Sequence, residues 1–377
     1  MKVLHIISGL KSGGAEGVMY RLIDKDTINN HYVISLTDDG FYGPRFKRKN
    51  IFLKCLHIKK NIGSFFIFLK LIYMIKKINP EIVQCWMYHG DFLGGLAAKL
   101  IGKKKIYWNL RNSDLSLKWA NKTTILLAKI NSLLSYIIPH KIISCSNKST
   151  ETHVRLGYCK RKLVLIDNGF DIKKFNFKKK YRDLWKSNLK LKRKDIVFCF
   201  VGRWNSQKDF QTLFHAFRNF LIARKNQKNI KLLLIGKDID IKNENLKKEL
   251  TKYKLIKNIL LINETEEVNK ILNVADIGIF SSKGNEGFPN VIAEKMLTKI
   301  PCIVSDVGDA ARIIGKNGYK YKKNSWIDLN KKINFIYDQF VLNQVDWQSK
   351  KFYSRKKIEE NFSLKKMIKS YQEIWAK

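Results

Sequence analysis

Acidic residues are scarce in this chain. Its 377 residues include 73 Lys and Arg but only 32 Asp and Glu, which gives a formal net charge of +41. A surplus of this size favours a polyanionic partner, such as a nucleic acid, an acidic membrane surface or a phosphorylated substrate. An A+T-rich coding sequence would also produce a lysine-rich chain without selection on charge. The composition leaves both explanations open.

Paired cysteines and long hydrophobic runs are missing as well. The six cysteines stand singly, without a CxxC pair or a histidine at ligand spacing, so we expect buried thiols in a reducing compartment and no zinc site. The longest apolar stretch, 65–75, is interrupted by Lys70 and is far shorter than the ~20 residues that span a bilayer. No cleavage-site pattern follows the first apolar run. These absences predict a cytoplasmic protein that does not span a membrane.

Short apolar runs alternate with segments of helical periodicity, which predicts parallel sheets covered by helices on both faces. A chain of this length exceeds one ordinary core, so two domains are expected. The alternation is interrupted by a basic stretch that we interpret as an irregular linker. The sequence therefore predicts an α/β protein of two doubly wound, Rossmann-like domains, with these bounds: domain 1–170, linker 171–194, domain 195–354 and a terminal helix 355–377.

The loop VGRWNSQKD follows the first strand of the second domain and carries Gly202, Arg203 and Lys208. A strand end that leads into a helix N-terminus presents free backbone N–H groups, and the guanidinium and ammonium groups add positive charge. A pyrophosphate is the expected ligand of such a loop. The alternative is a solvated pair of cations in a lysine-rich chain.

Two glutamates, Glu286 and Glu294, stand in the segment NEGFPNVIAEKML. Pro289 suits the first turn of a helix, which places Glu286 at the end of the preceding strand and Glu294 inside the helix. Glu286 could simply stabilise the helix dipole, and Glu294 could be an exposed helical residue. The apolar neighbours of Glu294 instead favour a carboxylate that has hydroxyl or cationic partners.

In this order, the motifs resemble those of retaining glycosyltransferases of family 4, which have the GT-B fold of two Rossmann-like domains facing a central cleft. The resemblance rests on SGLKSGGAE, FVGRWNSQKDF, the E-x7-E segment EGFPNVIAE and PCIVSDVGDAARII, and it extends along nearly the whole chain. It implies a nucleotide-sugar donor, expected to be a UDP sugar, with no essential metal and no other cofactor. It also implies that the terminal helix crosses back to complete the first domain.

The same resemblance implies roles for single residues. Arg203 and Lys208 would neutralise the donor diphosphate, Glu286 would bind hydroxyls of the transferred sugar, and Glu294 would bind those of the ribose. Glu286, Arg203 and Lys208 would be the catalytic group, since a leaving diphosphate can itself accept the proton of the acceptor. The other expected donor contacts are glycines that permit a close approach and a segment whose backbone would lie close to the sugar and the phosphates: Gly13, Gly14, Gly202, Gly287, Phe288, Pro289 and Asn290.

Members of this family often have His-x-His near the end of the fourth strand, where this chain has Gln84 and Trp86. The candidate acceptor contacts are therefore taken from this strand end and the next: His89, Trp86, Asn109 and Arg111. A D-x-D pair, Asp238 and Asp240, is similar to the metal-binding motif of the other major glycosyltransferase fold. The two-domain pattern argues against that role, and we expect a solvated loop.

Two apolar segments with basic ends, 62–80 and 122–141, either cover the sheet or also dock on the anionic inner face of the cell membrane. With the resemblance, they predict transfer of a hexose or N-acetylhexosamine to a saccharide acceptor, expected to be lipid-linked, in bacterial surface polysaccharide or lipopolysaccharide (O-antigen) synthesis. A UDP-sugar 2-epimerase of the same fold is an alternative. A nucleic-acid-binding protein is the weaker one, because no groove-reading element or base-stacking platform is present.

Overall fold

The computed structural model describes residues 1–58, 64–225 and 227–377, and the chain forms two compact units. Unit 1 comprises Met1–Gly169 and Leu364–Lys377, and unit 2 comprises Phe170–Ser363. The first two residues of the apolar segment 62–80 lie outside the described residues. No helix in the described part of the chain has the length and apolar character needed to cross a bilayer.

The described residues of unit 1 contain seven strands in one parallel sheet. Their bounds are β1 Lys2–Ile7, β2 Asn30–Ser35, β3 Phe52–Cys55, β4 Ile82–Trp86, β5 Ile106–Leu110, β6 Lys141–Ser144 and β7 Leu163–Leu165. The strand order is β3-β2-β1-β4-β5-β6-β7. Strands β4 and β5 are buried along their whole length, because helices cover both faces of the sheet.

Helices cover this sheet in two groups. The helices within the first 169 residues are α1 Gly14–Lys25, α2 Gly43–Arg48, α3 Ser64–Ile78, α4 Met87–Leu100, α5 Lys122–Leu134 and α6 Asn147–Arg155. Buried side chains of α3, α4 and α5 share one hydrophobic cluster with the sheet. Side chains of α1 share a second cluster with the C-terminal segment Leu364–Ala376. The C-terminal segment is therefore part of the core of unit 1.

Unit 2 has the same architecture. Its described strands are β8 Ile196–Val201, β9 Ile230–Ile235, β10 Ile259–Ile262, β11 Ile277–Phe280, β12 Cys302–Ser305 and β13 Tyr319–Tyr321, in the order β10-β9-β8-β11-β12-β13. The helices that complete the chain are α7 Lys179–Asn188, α8 Phe210–Ala223, α9 Glu244–Lys252, α10 Val268–Ile271, α11 Asn290–Leu297, α12 Ala310–Ile314, α13 Trp326–Leu342, α14 Gln344–Asn361 and α15 Leu364–Ala376. Of these, α15 belongs to unit 1. The prediction of two doubly wound parallel sheets is confirmed.

The segment 171–194, predicted to be an irregular linker, contains α7 and belongs to unit 2. Arg182 on this helix forms an ion pair with Asp276 at 2.8 Å and donates to the carbonyl groups of Asn273 and Val274 at 3.1 and 3.3 Å. These contacts hold α7 against the unit. The prediction of irregular chain is therefore wrong, because a run of lysines does not reveal a helix held by polar tertiary contacts.

The predicted terminal helix 355–377 is two helices in the structure. Helix α14 ends at Asn361, and Phe362 leaves the helical conformation with a φ of −130°. The Phe362 carbonyl accepts a hydrogen bond from the Phe170 N–H group at 3.0 Å, which ties the break to unit 2. Only Leu364–Lys377 belongs to unit 1.

The strand order reverses next to the first strand of each sheet. In unit 1, β1 lies between β2 and β4, and in unit 2, β8 lies between β9 and β11. Open α/β sheets bind ligands beyond the carboxyl ends of the strands at such a reversal. The loops that follow β8 and β11 are therefore the first place to look for a ligand site in unit 2, and those after β1 and β4 in unit 1.

Candidate functional site

The loop between β8 and α8 places Lys208 at the strand reversal of unit 2. Asp209 caps α8 by accepting a hydrogen bond from the Thr212 N–H group at 3.4 Å, so the helix begins at Phe210. The Asn205 side chain accepts from the Lys208 N–H group at 3.1 Å. Lys208 therefore remains in a fixed loop at the carboxyl end of β8.

Glu286, in the loop after β11, forms an ion pair with Lys208 through its Oε1 atom. The same oxygen accepts hydrogen bonds from Gln207 Nε2 at 3.0 Å and from Ser282 Oγ at 3.1 Å. The side chains of Lys208 and Glu286 are only 14% and 13% exposed, so solvent screens the pair weakly. The structure thus brings together two of the three predicted catalytic side chains, one from each side of the strand reversal.

The backbone beneath Glu286 is supported by the loop after β12. Gly308 has a φ of +55°, and a Cβ atom there would lie 1.9 Å from the Glu286 carbonyl oxygen. The Asp309 N–H group donates to the Gly287 carbonyl at 3.0 Å, and the Asp309 carboxylate pairs with Arg312 Nε at 2.8 Å. Only glycine allows this approach, which fixes the position of the Glu286 peptide.

Replacing Gly308 by alanine is expected to damage the site more than the fold. Gly102 offers a matched control, because it also has a positive φ, +78°, but a Cβ atom there would meet nothing within 4 Å. Both changes should cost about 1 kcal/mol of stability for the left-handed backbone. Only Gly308→Ala should also displace Glu286 and, if Glu286 has its predicted role, lower the affinity for a UDP sugar, as measured by titration calorimetry. Equal affinities in the two variants would contradict this role.

The remaining predicted donor residues of unit 2 lie in the loops after β8 and β11 and on α11. Arg203 is exposed at the end of β8, and Glu294 is half-buried in α11. Pro289 is the N-cap of α11, with Asn290 as its first helical residue, close to the predicted start. The Phe288 side chain stacks on the Phe170 ring within unit 2, so its backbone is the part that could meet a ligand.

The sequence did not reveal three polar side chains of this site. Gln207 and Ser282 both bind Glu286, and Lys295, on α11, is fully buried and donates to the Ile279 carbonyl of β11 at 2.7 Å. Burial lowers the pKa of Lys295. Gln207 could have been inferred from its place beside Lys208. Lys295 carried no signal, because a lysine after a glutamate on a helix is usually exposed.

In unit 1, the predicted glycines and His89 lie at the strand reversal. Gly13 is the N-cap of α1 and Gly14 its first residue, directly beyond β1. His89 is exposed in the first turn of α4, beyond β4. Met87 precedes it with a φ of +63°, a conformation that is strained for this residue and that is concentrated at functional sites. These loops are candidates for ligand contact.

Two of the predicted acceptor residues are buried and serve the fold. Trp86 and Asn109 have no exposed surface, and Asn109 Nδ2 donates to the Tyr371 hydroxyl of α15 at 2.7 Å. Arg111, which is half-buried, also donates to Tyr371 at 3.0 Å. The prediction that Trp86 and Asn109 contact the acceptor is therefore wrong. Both side chains instead hold α15 on the sheet of unit 1.

A buried chain of hydrogen bonds continues from Trp86. Because an indole N–H group can only donate, Trp86 Nε1 donates to His5 Nδ1 at 3.1 Å. Burial lowers the pKa of His5 well below 6.5, so the ring is neutral and its Nε2 proton is donated to His31 Nδ1 at 2.9 Å. His31 Nε2 then donates to Asp26 at 3.1 Å. Each hydrogen bond of this chain is therefore donated in the same direction, from Trp86 on β4 to Asp26 in the loop before β2.

The D-x-D pair lies in the loop after β9. Asp240 accepts a hydrogen bond from the Lys242 N–H group at 2.9 Å, and the intervening Ile239 is fully buried. Within the described residues, no group of three or more His, Cys, Asp or Glu side chains is arranged to hold a metal ion. Asp240 thus stabilises a turn before α9.

Comparison with known proteins relates unit 2 to a described family. Residues 182–345 match the family model described as Glycosyl transferases group 1, so they form a glycosyltransferase group 1 domain. The chain is similar to the Escherichia coli UDP-Gal:alpha-D-GlcNAc-diphosphoundecaprenol alpha-1,3-galactosyltransferase, with 26% identity over 313 residues, which cover 81% of this chain and 78% of the relative. Residues 182–345, which the family model matches, contain the loops that carry Lys208 and Glu286.

Two solved structures share the architecture. The crystal structure of Anabaena HepE in complex with UDP has a TM-score of 0.86 and 17% identity, with 100% of each chain covered. Sucrose-phosphate synthase from Thermosynechococcus elongatus has a TM-score of 0.79 and 14% identity, covering 100% of this chain and 98% of that chain. These likenesses identify the fold as GT-B, which confirms the predicted fold class.

Proposed function

We propose that the chain is a retaining glycosyltransferase that moves a hexose or N-acetylhexosamine from a UDP sugar to a lipid-linked saccharide in bacterial surface polysaccharide synthesis. The observation that carries this proposal is the Lys208–Glu286 pair at the strand reversal of the group 1 domain. The name of the E. coli relative supports the donor nucleotide and the acceptor class. The UDP in the HepE structure also supports the donor nucleotide.

Positive charge for the leaving diphosphate comes from two side chains. Lys208 is held in its loop by Asn205 and Glu286, and Arg203 follows β8 on the same loop. Charge-assisted hydrogen bonds of this kind contribute about 1.5–3 kcal/mol each. Lys208 also lies beside Phe280, 5.2 Å from the ring centroid, in surroundings that strengthen its interaction with an anion.

Glu286 binds hydroxyl groups of the transferred sugar in this proposal. Its carboxylate is oriented by Gln207, Ser282 and Lys208, which leaves it little freedom to reorient when the donor binds. Glu294, further along on α11, binds the ribose hydroxyls, and the backbone N–H groups of Gly287, Phe288 and Asn290 donate to the phosphates. Gly202, Gly13 and Gly14 permit a close approach of backbone to the donor, and His89 and Arg111 remain as acceptor contacts.

The reaction needs no protein nucleophile. The bond between the anomeric carbon and the diphosphate oxygen breaks, and its electron pair stays on the diphosphate, where Lys208 and Arg203 stabilise the charge. The acceptor hydroxyl oxygen forms the new bond on the same face of the sugar. Its proton passes to the departing phosphate oxygen, so atoms and charge balance. Since two cations of the chain neutralise the leaving group, we expect turnover without added metal.

The proposal is tested by nucleotide-sugar screening. UDP sugars should raise the melting temperature in the presence of EDTA, because a ligand that binds only the folded state stabilises it by RT ln(1 + [L]/Kd). GDP sugars serve as the matched control and should produce a smaller shift. The protecting donor is then incubated with a diphosphoundecaprenol-linked saccharide, and the product is analysed by mass spectrometry and anomeric NMR. Release of a free epimer without a glycoside would instead identify a 2-epimerase.

A further inference from the structure

Helix α3 exposes an apolar face that the fold of unit 1 does not use. Leu71, Met74 and Ile75 face the core, whereas the opposite side of the helix is exposed. Phe66 is 76% exposed, and its exposed apolar neighbours on this face are Phe65, Leu69 and Tyr73. Monomeric proteins seldom expose several large apolar side chains on one helix without a partner.

Helix α5 repeats this arrangement. Its exposed residues recur at helical spacing, so they form a stripe along one side: Lys122, Leu126, Lys129 and Leu133. Tyr136 and Ile137, just beyond the helix, continue it. Both α3 and α5 pack against α4, so the two exposed faces belong to the same helical layer of unit 1.

The charges on these helices have one sign. Neither α3 nor α5 contains an aspartate or a glutamate. Exposed lysines accompany the apolar residues on α3 at Lys70, Lys76 and Lys77. Large apolar side chains that alternate with lysines are suited to an anionic bilayer, because the former enter the acyl boundary while the latter meet lipid phosphates.

We propose that the exposed faces of α3 and α5 form one docking surface for an anionic lipid bilayer. A protein partner is less suited to it, because lysines are depleted in the core of protein interfaces and here they lie among the apolar residues. Helix α4, between them, carries exposed His89 in its first turn. This surface deepens the proposed function, since docking would hold unit 1 at the membrane where a lipid-linked acceptor is located.

The surface is tested by co-sedimentation with vesicles of phosphatidylglycerol and phosphatidylcholine in equal amounts. The protein should sediment with these vesicles at low salt and should be released as salt is raised, since the lysine contribution is screened. Lys122→Gln/Lys129→Gln should weaken binding about 25-fold, because each lysine near an anionic surface contributes about fivefold. Leu126→Ser/Leu133→Ser should weaken binding at least about tenfold at any salt concentration.

Control variants on unit 2 distinguish binding through this surface from nonspecific adsorption to the vesicles. Leu342 and Val345 are 80% and 79% exposed, and Leu342→Ser/Val345→Ser should bind vesicles as the wild type does. Lys252→Gln/Lys257→Gln, also exposed, is the matched charge control. The proposal is overturned if the α5 variants bind like the wild type, or if the control variants lose binding equally.

The outcome is independent of whether the enzyme assignment is correct. Every variant is first checked by its melting temperature without ligand, which shows that it remains folded, and separately for protection by a UDP sugar. Vesicle binding without turnover would support the membrane-docking surface and would contradict the proposed glycosyltransfer reaction. Turnover of a detergent-dispersed acceptor without vesicle binding would support the proposed reaction and would contradict the membrane-docking surface.

Discussion

The Lys208→Ala variant is expected to lose about 10²–10³-fold in kcat, the usual cost of removing one preorganised group that stabilises developing charge. In this chain Lys208 is one of two cations placed for the leaving diphosphate, and it is largely buried beside Glu286. Turnover is measured as UDP release in the presence of donor and acceptor. Near-normal turnover would contradict the proposal that Lys208 stabilises the leaving diphosphate.

Glu286→Ala should be equally damaging, for a different reason. Alanine removes the carboxylate that binds the transferred sugar and leaves Lys208, Gln207 and Ser282 without their shared acceptor. Glu286→Gln retains one acceptor oxygen and should keep donor protection while still losing turnover. If Glu286→Gln were fully active, the charge of this residue would not matter to the reaction.

A second ion pair in unit 2 provides the control for these variants. Lys270 pairs with Glu267 at i,i+3 on the surface, 37% and 46% exposed, away from the strand reversal. Lys270→Ala removes the same side chain from a surface pair, so it should leave both turnover and the melting temperature unchanged. A loss of activity in this variant would indicate that the effects at Lys208 are not local.

Asp26→Asn is expected to destabilise unit 1 by about 2–4 kcal/mol at neutral pH, because hydrogen bonds to a charged acceptor contribute about 1.5–3 kcal/mol each. The carboxylate accepts from the Ile28 N–H group, Asn29, His31 and Gln372 at 2.8–3.1 Å. An asparagine offers one acceptor oxygen, so donors would face its NH₂ group. Hydrogen exchange of the amides in β1 and β2 reports the change.

The pH dependence of this difference has a defined sign. Although burial acts to raise it, the hydrogen bonds from His31, Asn29, Ile28 and Gln372 lower the pKa of Asp26 below its ordinary value. Its contribution is therefore full above the unfolded pKa of about 3.9 and is lost as the pH falls below it. The gap between wild type and Asp26→Asn should be widest near neutral pH and should narrow below about pH 4. A constant gap would contradict the buried carboxylate.

Asp39→Asn is the matched control for this experiment. Asp39 pairs with Lys47 at 3.0 Å, but its side chain is 45% exposed. The hydrogen bond from Lys47 lowers the pKa of Asp39 as well, yet solvent screens the pair. We expect a change of less than about 1 kcal/mol.

Periodicity and loop chemistry predicted much of the fold and part of the site. The two sheets followed from apolar runs alternating with helical segments, and the positions of Lys208 and Glu286 followed from the strand ends that precede them. Helix α7 and the break at Phe362 were missed, since both depend on distant partners: Asp276 for Arg182, and Phe170 for Phe362. The burial of Lys295 was missed for the same reason.

The sequence by itself determined the α/β class, the two doubly wound units and the strand ends at which Lys208 and Glu286 lie. Local patterns suffice for this, because strand ends and helix starts are set by neighbours along the chain. Only the tertiary structure decided that Lys208, Gln207 and Ser282 converge on one oxygen of Glu286, and that Gly308 supports its backbone. It also decided that Trp86 is buried and bonded to His5. Hydrogen bonds between residues far apart in the chain depend on packing, and no local pattern encodes them.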